Sequence, residues 1–552
     1  MTVLDYIKFN MEKSLLIFSL SLLCCCTANL HIESNESEKT YLNNETSNVA
    51  AEQTILGDTI EIPYTVDNLL KALEYLPSDT KALINKQDIC ATHYYVRFHP
   101  KNAEELALLE EIKPRLMLSE IPLDREIVYG GNSYHDPSLP HDMPTYQYTT
   151  IEADYWKNLS DTLSVESEIL LEAYMPDYFT EEQTKSYKCS TPYSAIEELL
   201  HSAYEITGHE YIPETKSSEW NPSGTIQAYD NITNNYVPIK GVRVRGTYLL
   251  TIKETLTDKN GYFCLGSFKN TVNMKIVWEG ENWDVRDGNL GQANYEGPKL
   301  ENTQWNLQIK PTETDQLAFS AIHRAAYRYY CDYIFNLSRP DNSRREKLAY
   351  IKDGIHFGNA NGDYNQQWGL GIWSDIRIAG KNSSGIREIS EIFCTTCHEL
   401  GHASHYTNAK AKFKDSETRV IESWARFTQY LLTKREYNEL GIKYLYGEYS
   451  QNGVKGDWPD LTYNFQNSTD RTYTPLLIDL FDGFNQFIYF NDSSYADDRI
   501  TNISPSVIEG IVFTSTSFIE IFQQLQSLKT KYGGPMYNLT DGNIELLFQY
   551  YL

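Results

Sequence analysis

The stretch that most restricts how this chain can fold runs from Cys394 to His405 and reads Cys-Thr-Thr-Cys-His-Glu-Leu-Gly-His-Ala-Ser-His. His398 and His402 are four residues apart, so on an α-helix both imidazoles project from one face. Two neutral imidazoles at this spacing can bind one Zn²⁺. No proline interrupts residues 386–406, and apolar residues recur there at helical spacing. The stretch therefore predicts a helix that carries a zinc site.

Glu399 stands beside the first histidine, where it can accept a proton from an attacking water. A rival interpretation exists, because Cys394-x-x-Cys397-His398 is also a pattern for covalent haem attachment. Haem would use His398 as an axial ligand and leave Glu399 and His402 without a role, whereas zinc chemistry uses all three. We therefore favour zinc, and both cysteines are then expected to be small, partly buried helix residues.

Glu422 is the predicted third ligand. It lies 20 residues after His402, within a helical pattern that covers residues 415–432. Trp424 makes its surroundings apolar, so a carboxylate there needs a partner. The alternative is a solvated Glu422 paired with Arg426 one turn later. The arrangement of the two helices resembles the gluzincin branch of zinc peptidases, and this resemblance implies a glutamate on the second helix as the third zinc ligand.

Three other side chains compete with Glu422 for the third ligand position. Glu417 lies in the first turn of the second helix, where the helix dipole already explains a carboxylate. Glu436 lies beyond the apolar pattern, in a charged stretch. His405 is seven residues from His398, about 10.5 Å along a straight helix, so both rings cannot reach one ion. We expect His405 to support the ligands from behind or to face the substrate.

An oxyanion stabiliser is expected beside the open metal position. Sites of the gluzincin type often use Tyr or His, and the sequence offers Tyr473, just before a helical pattern over residues 476–489. Asp479 and Asp482 on that helix are candidates to orient a ligand imidazole through its free N–H. An exposed helix face is the simpler explanation of both aspartates.

Residues 1–26 have the pattern of a targeting segment. Lys13 supplies a positive charge, and the apolar run Leu15–Leu23 is too short to span a bilayer. The run ends in Cys24, Cys25 and Cys26, which resembles the bacterial lipoprotein signal. The resemblance implies a lipid on one of these cysteines, and Cys26 follows a leucine by three residues. An ordinary secretory peptide is the alternative, and both interpretations export the protein to the cell envelope.

Length and charge limit the classes of protein that fit. A chain of 552 residues is too long for one core, so we expect several domains. The aromatic content of 13% is typical of a globular protein. The net charge of −27 repels nucleic acids and anionic membranes. We therefore expect protein or peptide partners, no nucleic acid, and membrane attachment only through an N-terminal lipid.

The chain before the zinc motif divides into three predicted parts. Residues 27–60 are polar and are predicted to form a flexible tether. Residues 61–215 are predicted to form an α+β domain, with helices over 66–76, 102–109, 165–174 and 195–206 and a strand over 92–98. Its expected role is that of a propeptide, an inhibitory lobe or a substrate-docking lobe.

Residues 216–309 change to short alternating strands with turn residues between them. Three segments are typical of a β-sandwich. They are Gly224-Thr-Ile, Val237-Pro-Ile-Lys-Gly-Val-Arg-Val and Thr255-Leu-Thr-Asp-Lys-Asn-Gly-Tyr-Phe. The sequence of these segments resembles the carboxypeptidase regulatory-like domain. The resemblance implies a small accessory sandwich, usually without catalytic residues, that accompanies extracellular bacterial enzymes.

Residues 310–552 are the predicted catalytic part. A long helix is expected over 318–335, and Leu370–Ile378 is the candidate edge strand for an extended substrate. The fold class that follows is a multidomain α+β chain whose C-terminal domain is mainly α-helical and zincin-like. The hypothesis is an exported zinc metallopeptidase. The alternative is a non-catalytic surface-binding lipoprotein with a structural zinc site.

Overall fold

The structure is a computed structural model that describes residues 53–175, 191–212, 219–332, 334–340, 344–355, 361–364, 374–383, 385–442, 474–485, 487–488, 491, 493, 495–532 and 537–551. The targeting segment with Cys26, most of the predicted tether and Tyr473 lie outside these residues. Within them, no helix combines the length and the apolar composition needed to cross a bilayer. The chain is multidomain, with many helices and several antiparallel and mixed sheets, in agreement with the predicted α+β class.

The N-terminal part is built on a three-stranded antiparallel sheet packed against helices. Its strands are β1 Ile55–Thr59, β2 His93–His99, β3 Arg125–Tyr129, β4 Gln147–Glu152 and β5 Glu166–Ala173. Its helices are α1 Val66–Tyr75, α2 Ser78–Leu83, α3 Ala103–Glu110, α4 Ala153–Ser160 and α5 Tyr193–Ile206. The central strand β2 pairs with β4 and β5, while β1 and β3 form a separate exposed ribbon. α1 and α5 pack together over one core of this part.

The predicted helix over residues 165–174 is wrong, because this segment is strand β5. Its residues pair antiparallel with β2, and Arg97 of β2 forms an ion pair with Glu168 at 2.5 Å. The segment Glu-Ser-Glu-Ile-Leu-Leu-Glu fits both a helix and an edge strand by its apolar spacing. The neighbouring strand decides between them, and no local signal reports that neighbour.

Two four-stranded sheets follow and face each other across an apolar layer. Their strands are β6 Ser223–Asp230, β7 Asn235–Pro238, β8 Arg243–Tyr248, β9 Thr251–Leu256, β10 Tyr262–Cys264, β11 Val272–Val277, β14 Asn294–Leu300 and β15 Trp305–Ile309. One sheet has the order β10-β6-β15 with β7 on β6, and the other has the order β14-β11-β8-β9. Strict alternation of buried and half-buried residues along β6 explains why the strand pattern was visible in the sequence.

A five-stranded mixed sheet joins residues from both sides of position 309. Its order is β13-β12-β16-β18-β17, made of β12 Trp283–Asp287, β13 Gly291–Gln292, β16 Glu346–Ile351, β17 Gly362–Tyr364 and β18 Ile376–Ala379. Residues 370–373 of the predicted edge strand Leu370–Ile378 lie outside the described residues, and its remaining part is not an edge, because β18 has a partner on each side. Among the described strands β17 lies at that edge. A short hairpin, β19 Lys381–Asn382 with β20 Gly385–Ile386, leads into the helices.

The C-terminal part consists of helices packed against this sheet. They are α6 Thr314–Cys331, α7 Ile389–Asp415, α8 Thr418–Glu439, α9 Leu476–Phe481, α10 Pro505–Thr514, α11 Phe518–Tyr532 and α12 Asp541–Tyr551. α7 begins with a capping box in which the Glu388 side chain accepts the Glu391 N–H and the Glu391 side chain accepts the Glu388 N–H. One apolar core extends from the two four-stranded sheets through α6 to α7, and α8–α12 enclose a second core.

Candidate metal centre

The centre lies between α7 and α8, which run past each other in opposite directions. Cys394 lies beside Thr433, and Gly401 lies beside Ala425. A Cβ at position 401 would be 3.0 Å from the Ala425 Cα, so the two backbones approach as closely as glycine permits. The Trp424 indole N–H donates to the Gly401 carbonyl at 3.0 Å. These contacts hold the histidine face of α7 against α8.

Three ligand atoms converge at this contact. The Nε2 atoms of His398 and His402 are 3.1 Å apart, and Glu422 Oε2 lies 3.2 Å from the first and 3.5 Å from the second. All three side chains are buried. Zinc ligands at about 2.0–2.1 Å in a tetrahedral arrangement are separated by about 3.3 Å. The observed separations match this value, so the three residues fit a Zn²⁺ ion with one open position.

The charges at the centre suit a divalent cation. Burial opposes ionisation of Glu422, but His402 and His398 hold the pKa of its carboxyl well below the ordinary value. Burial lowers the pKa of His398 to about 4, so this imidazole is neutral at pH 7. Burial also opposes protonation of His402, but the Glu422 carboxylate raises the His402 pKa. A metal ion bound by His402 would compete with the proton that the Glu422 carboxylate favours on this imidazole.

Glu399 lies next to these ligands but does not belong to their cluster. Its side chain is buried, and its Oε2 makes no hydrogen bond to any residue that the structure describes. Burial raises its pKa to about 8, and His402 and Arg426 partly oppose that shift. A Cβ at Gly362 of β17 would be 2.7 Å from Glu399 Oε1, so the strand backbone lies directly against the carboxyl group. Among the described residues, Glu399 Oε2 therefore stands beside the ligand cluster without a hydrogen-bond partner.

The strand above Glu399 is held by a residue that the sequence analysis missed. Arg387 is buried, and its Nη1 donates to the carbonyls of Ala379 and Asn361 at 2.9 Å. Its Nη2 donates to Thr395 Oγ1 of α7 at 2.5 Å. Arg387 thus connects α7 to the backbone just before β17. No local pattern around an isolated arginine gives this role, because Asn361, Ala379 and Thr395 lie 8 to 26 positions away.

The two rival carboxylates form ion pairs elsewhere. Glu436 accepts hydrogen bonds from the guanidinium groups of Arg324 and Arg328 on α6, and these cations hold its pKa at about 2 against the effect of burial. Glu417 lies at the start of α8 and pairs with Arg419 at 2.6 Å. Of the three glutamates considered, the structure brings only Glu422 to the histidines.

The prediction that His405 supports the ligands from behind or faces the substrate is wrong. Its side chain is fully buried, stacked on Phe513 with 5.0 Å between ring centroids and packed edge-on against Phe413. Neither ring nitrogen has a hydrogen-bond partner among the described residues. His405 therefore neither faces a substrate nor orients a ligand there, because its ring packs between Phe413 and Phe513 in the helical core.

The aspartates of α9 are also placed differently from the expectation. Asp479 accepts a hydrogen bond from the Tyr551 hydroxyl at 2.5 Å, and no bond from it to a ligand imidazole occurs in the described chain. Asp479 and Asp482 are both buried, so the alternative prediction that they lie on an exposed helix face is wrong as well. Burial raises the pKa of Asp479 well above the ordinary value.

The haem interpretation gains no support from the two cysteines. Cys394 contacts the Thr433 hydroxyl at 3.4 Å inside the α7–α8 interface, and Cys397 is fully buried. Burial raises the pKa of both thiols. Neither thiol is placed to carry a covalent cofactor.

Comparison with known proteins gives no relative from which a function can be transferred. No protein-family model matches the chain, and no curated protein is significantly similar to it. The functional argument therefore depends on the centre itself.

Proposed function

We propose that this chain is a zinc-dependent hydrolase of peptide bonds, a zincin-like metallopeptidase. One observation carries the proposal, namely a buried Glu399 without a described partner for Oε2 next to three converging ligand atoms. A site that only stabilises the fold has no use for such a carboxylate, and its burial costs stability. Catalytic zinc sites combine three protein ligands, an open position and an adjacent base.

In this proposal each residue of the centre has one role. A Zn²⁺ ion held by His398, His402 and Glu422 would supply Lewis-acid activation of water and substrate. Glu399 accepts the proton of the attacking water and then delivers it to the leaving amine.

The position of β17 supports an extended substrate. Among the described residues, Gly362–Tyr364 pairs with β18 on one side and is the last strand of its sheet. Gly362 lies against Glu399, which means that a peptide added along β17 would pass the proposed base. We propose that the substrate backbone binds along this edge.

Elemental analysis of purified protein lacking residues 1–26 tests the metal, and cleavage of a peptide library tests the reaction. We expect about one zinc per chain in the wild type and its loss in Glu422→Ala. Glu417→Ala, a carboxylate change on the same helix, should retain zinc. Glu399→Gln should keep zinc and lose at least about 100-fold in hydrolysis.

Two results would contradict the proposal in different ways. Zinc bound by the wild type without cleavage of any peptide would favour the non-catalytic lipoprotein with a structural site. Equal cleavage rates for the wild type and Glu399→Gln would show that the assigned base is wrong. Wild-type protein that binds no zinc would remove the proposed centre altogether.

We also propose that the protein is exported and anchored by a lipid on Cys26. The proposal follows from the apolar run that ends in three cysteines. Expression of the full chain in bacteria with a radiolabelled fatty acid should label the wild type. Cys26→Ser should lose the label, whereas Cys25→Ser should keep it, and the reverse pattern would move the lipid to Cys25.

A further inference from the structure

A turn of the first four-stranded sheet touches both helices that carry the ligands. It follows β6 and consists of Asp230 and Asn231, which we call the Asp-Asn turn. Asn231 Nδ2 donates to Ser390 Oγ at 3.1 Å, and Asn231 Oδ1 accepts the Ser390 N–H at 3.0 Å. Ser390 lies in the first turn of α7, where backbone N–H groups need acceptors. The start of α7 is therefore fastened to the sheet by two hydrogen bonds.

Asp230 contacts the other helix from the same turn. Its carboxylate is fully buried, and Oδ2 accepts the Tyr437 hydroxyl of α8 at 3.1 Å and Arg324 Nη1 of α6 at 2.9 Å. Oδ1 accepts the N–H groups of Ile232 and Thr233, both at 3.1 Å, which fixes the turn itself. Adjacent residues of one turn therefore bond to α7 and to α8.

A buried ion network strengthens the contact with α8. Arg324 Nε and Nη2 donate to Glu436 Oε1 at 3.1 and 2.8 Å, while Arg328 bonds to Glu436 Oε2. Asp230 and Glu436 thus balance two guanidinium groups of α6 in the protein interior. Removing one charge from a buried network leaves its partners uncompensated, so the network holds the last turns of α8 in one position.

We propose that the Asp-Asn turn is a positioning element of the metal centre. Ser390 is eight residues before His398 and Tyr437 is fifteen residues after Glu422, so the turn holds the helix ends remote from the ligands. The ligand atoms are only 3.1–3.5 Å apart. A small rotation of α7 against α8 therefore changes the fit of an ion. The inference uses the zinc binding of the proposed function but does not require peptidase activity.

In this proposal, one of the two four-stranded sheets helps to position the helices that carry the metal ligands. A carboxypeptidase regulatory-like domain would be expected to act as a separable accessory. Here the turn residues of the sheet act through Ser390, Tyr437 and Arg324 rather than by touching the ligands. Asp230 and Asn231 are positioning residues in this sense, and neither is expected to contact a substrate.

The test compares zinc affinity among matched variants of the chain without residues 1–26. Asn231→Ala removes two neutral hydrogen bonds, and Asn231→Asp is the conservative rescue, because a carboxylate can accept from both the Ser390 N–H and hydroxyl. Asp230→Asn keeps an acceptor for the turn N–H groups but loses the charge. Glu254→Gln is the control, since its carboxylate is 6% exposed and pairs with Arg243 and Arg245 in the other sheet.

Zinc dissociation constants are measured by competition with a chelator, and the geometry is followed by the visible absorption of the Co²⁺-substituted protein. We expect Asn231→Ala and Asp230→Asn to weaken zinc binding about tenfold and to change the Co²⁺ spectrum. Asn231→Asp should restore wild-type affinity. Glu254→Gln should lower the thermal midpoint while leaving zinc affinity unchanged.

The outcomes separate this inference from the proposed function. Wild-type affinity in both Asn231→Ala and Asp230→Asn would overturn the positioning role while zinc binding stands. Equal weakening in Glu254→Gln would show that general destabilisation, not the turn, controls affinity. Absence of zinc binding by the wild type would reject the metal centre and the inference with it. If Asp230→Asn fails to fold, Asn231→Ala decides alone.

Discussion

Gly362 lies directly against the carboxyl group of Glu399, with 2.7 Å between the place of an added Cβ and Glu399 Oε1. The same Cβ would be 2.7 Å from Thr395 Cγ2, so Gly362→Ala forces either the strand or the carboxyl group to move. We expect the variant to bind zinc like the wild type, because Gly362 contacts no ligand, and to lose at least about tenfold in peptide cleavage. Cleavage at the wild-type rate would contradict the expectation that the contact with Gly362 fixes the position of the Glu399 carboxyl group.

The close approach of α7 and α8 depends on Gly401. In Gly401→Ala the new methyl would be 3.0 Å from Ala425 Cα and Thr428 Cβ, so the helices must separate. We expect the free energy of unfolding in urea to fall by about 1–3 kcal/mol and zinc affinity to fall with it. Gly510→Ala in α10 is the control, because nothing lies within 4 Å of its added Cβ, and it should stabilise by up to about 1 kcal/mol. Similar effects of both substitutions would contradict this account.

His405 should make the protein sensitive to acid. Burial lowers its pKa to about 3, against 6.5 for an ordinary histidine. Between these two values the unfolded chain binds a proton at this position and the native chain does not, so stability falls as the pH falls. The expected slope is about 1.4 kcal/mol per pH unit for this one group.

Replacement of His405 by phenylalanine tests this slope. His405→Phe fits the stacked position between Phe413 and Phe513 and cannot take up a proton. We expect its free energy of unfolding to fall less steeply than that of the wild type between pH 6 and pH 4, by about one proton's slope. The other histidines contribute equally to both proteins, so parallel curves would contradict the assignment.

Removal of the metal should loosen the α7–α8 pair. An ion that binds only the folded protein stabilises it. At 100 times the dissociation constant, zinc adds about 2.7 kcal/mol to the free energy of unfolding. We therefore expect a chelator to lower the thermal midpoint of the wild type, and added zinc to restore it. His402→Ala lacks one of the three ligands, so the chelator should leave its midpoint nearly unchanged. A chelator effect of equal size in both proteins would point to a different metal site.

Local sequence signals predicted the elements that carry their own periodicity. The helix with His398 and the alternating strand β6 are such cases, and the structure contains both. Glu422 was selected from its apolar neighbours, and the structure brings it to the two histidines. These inferences succeed because spacing along one element fixes which side chains share a face.

The errors occurred where a distant partner decides the outcome. Residues 166–173 form a strand because they pair with β2. β18 is an internal strand because β17 pairs with its second side. Glu436 looked like a solvated charge, yet it is buried because Arg324 on another helix neutralises it. Spacing along a single element contains no information about such partners, so sequence patterns alone could not give these positions.

The parallel pairing of β12 with β16 also constrains the order in which the protein folds. Trp283 on β12 is the register partner of Glu346, and β18 completes the sheet only after residue 376. During synthesis or export the chain up to residue 309 therefore emerges with β12 paired to β13 alone, so the edge of β12 that later binds β16 is open. Long-range pairing of this kind slows folding and exposes strand edges to other chains. A truncation after residue 309 should consequently aggregate, although it contains both four-stranded sheets.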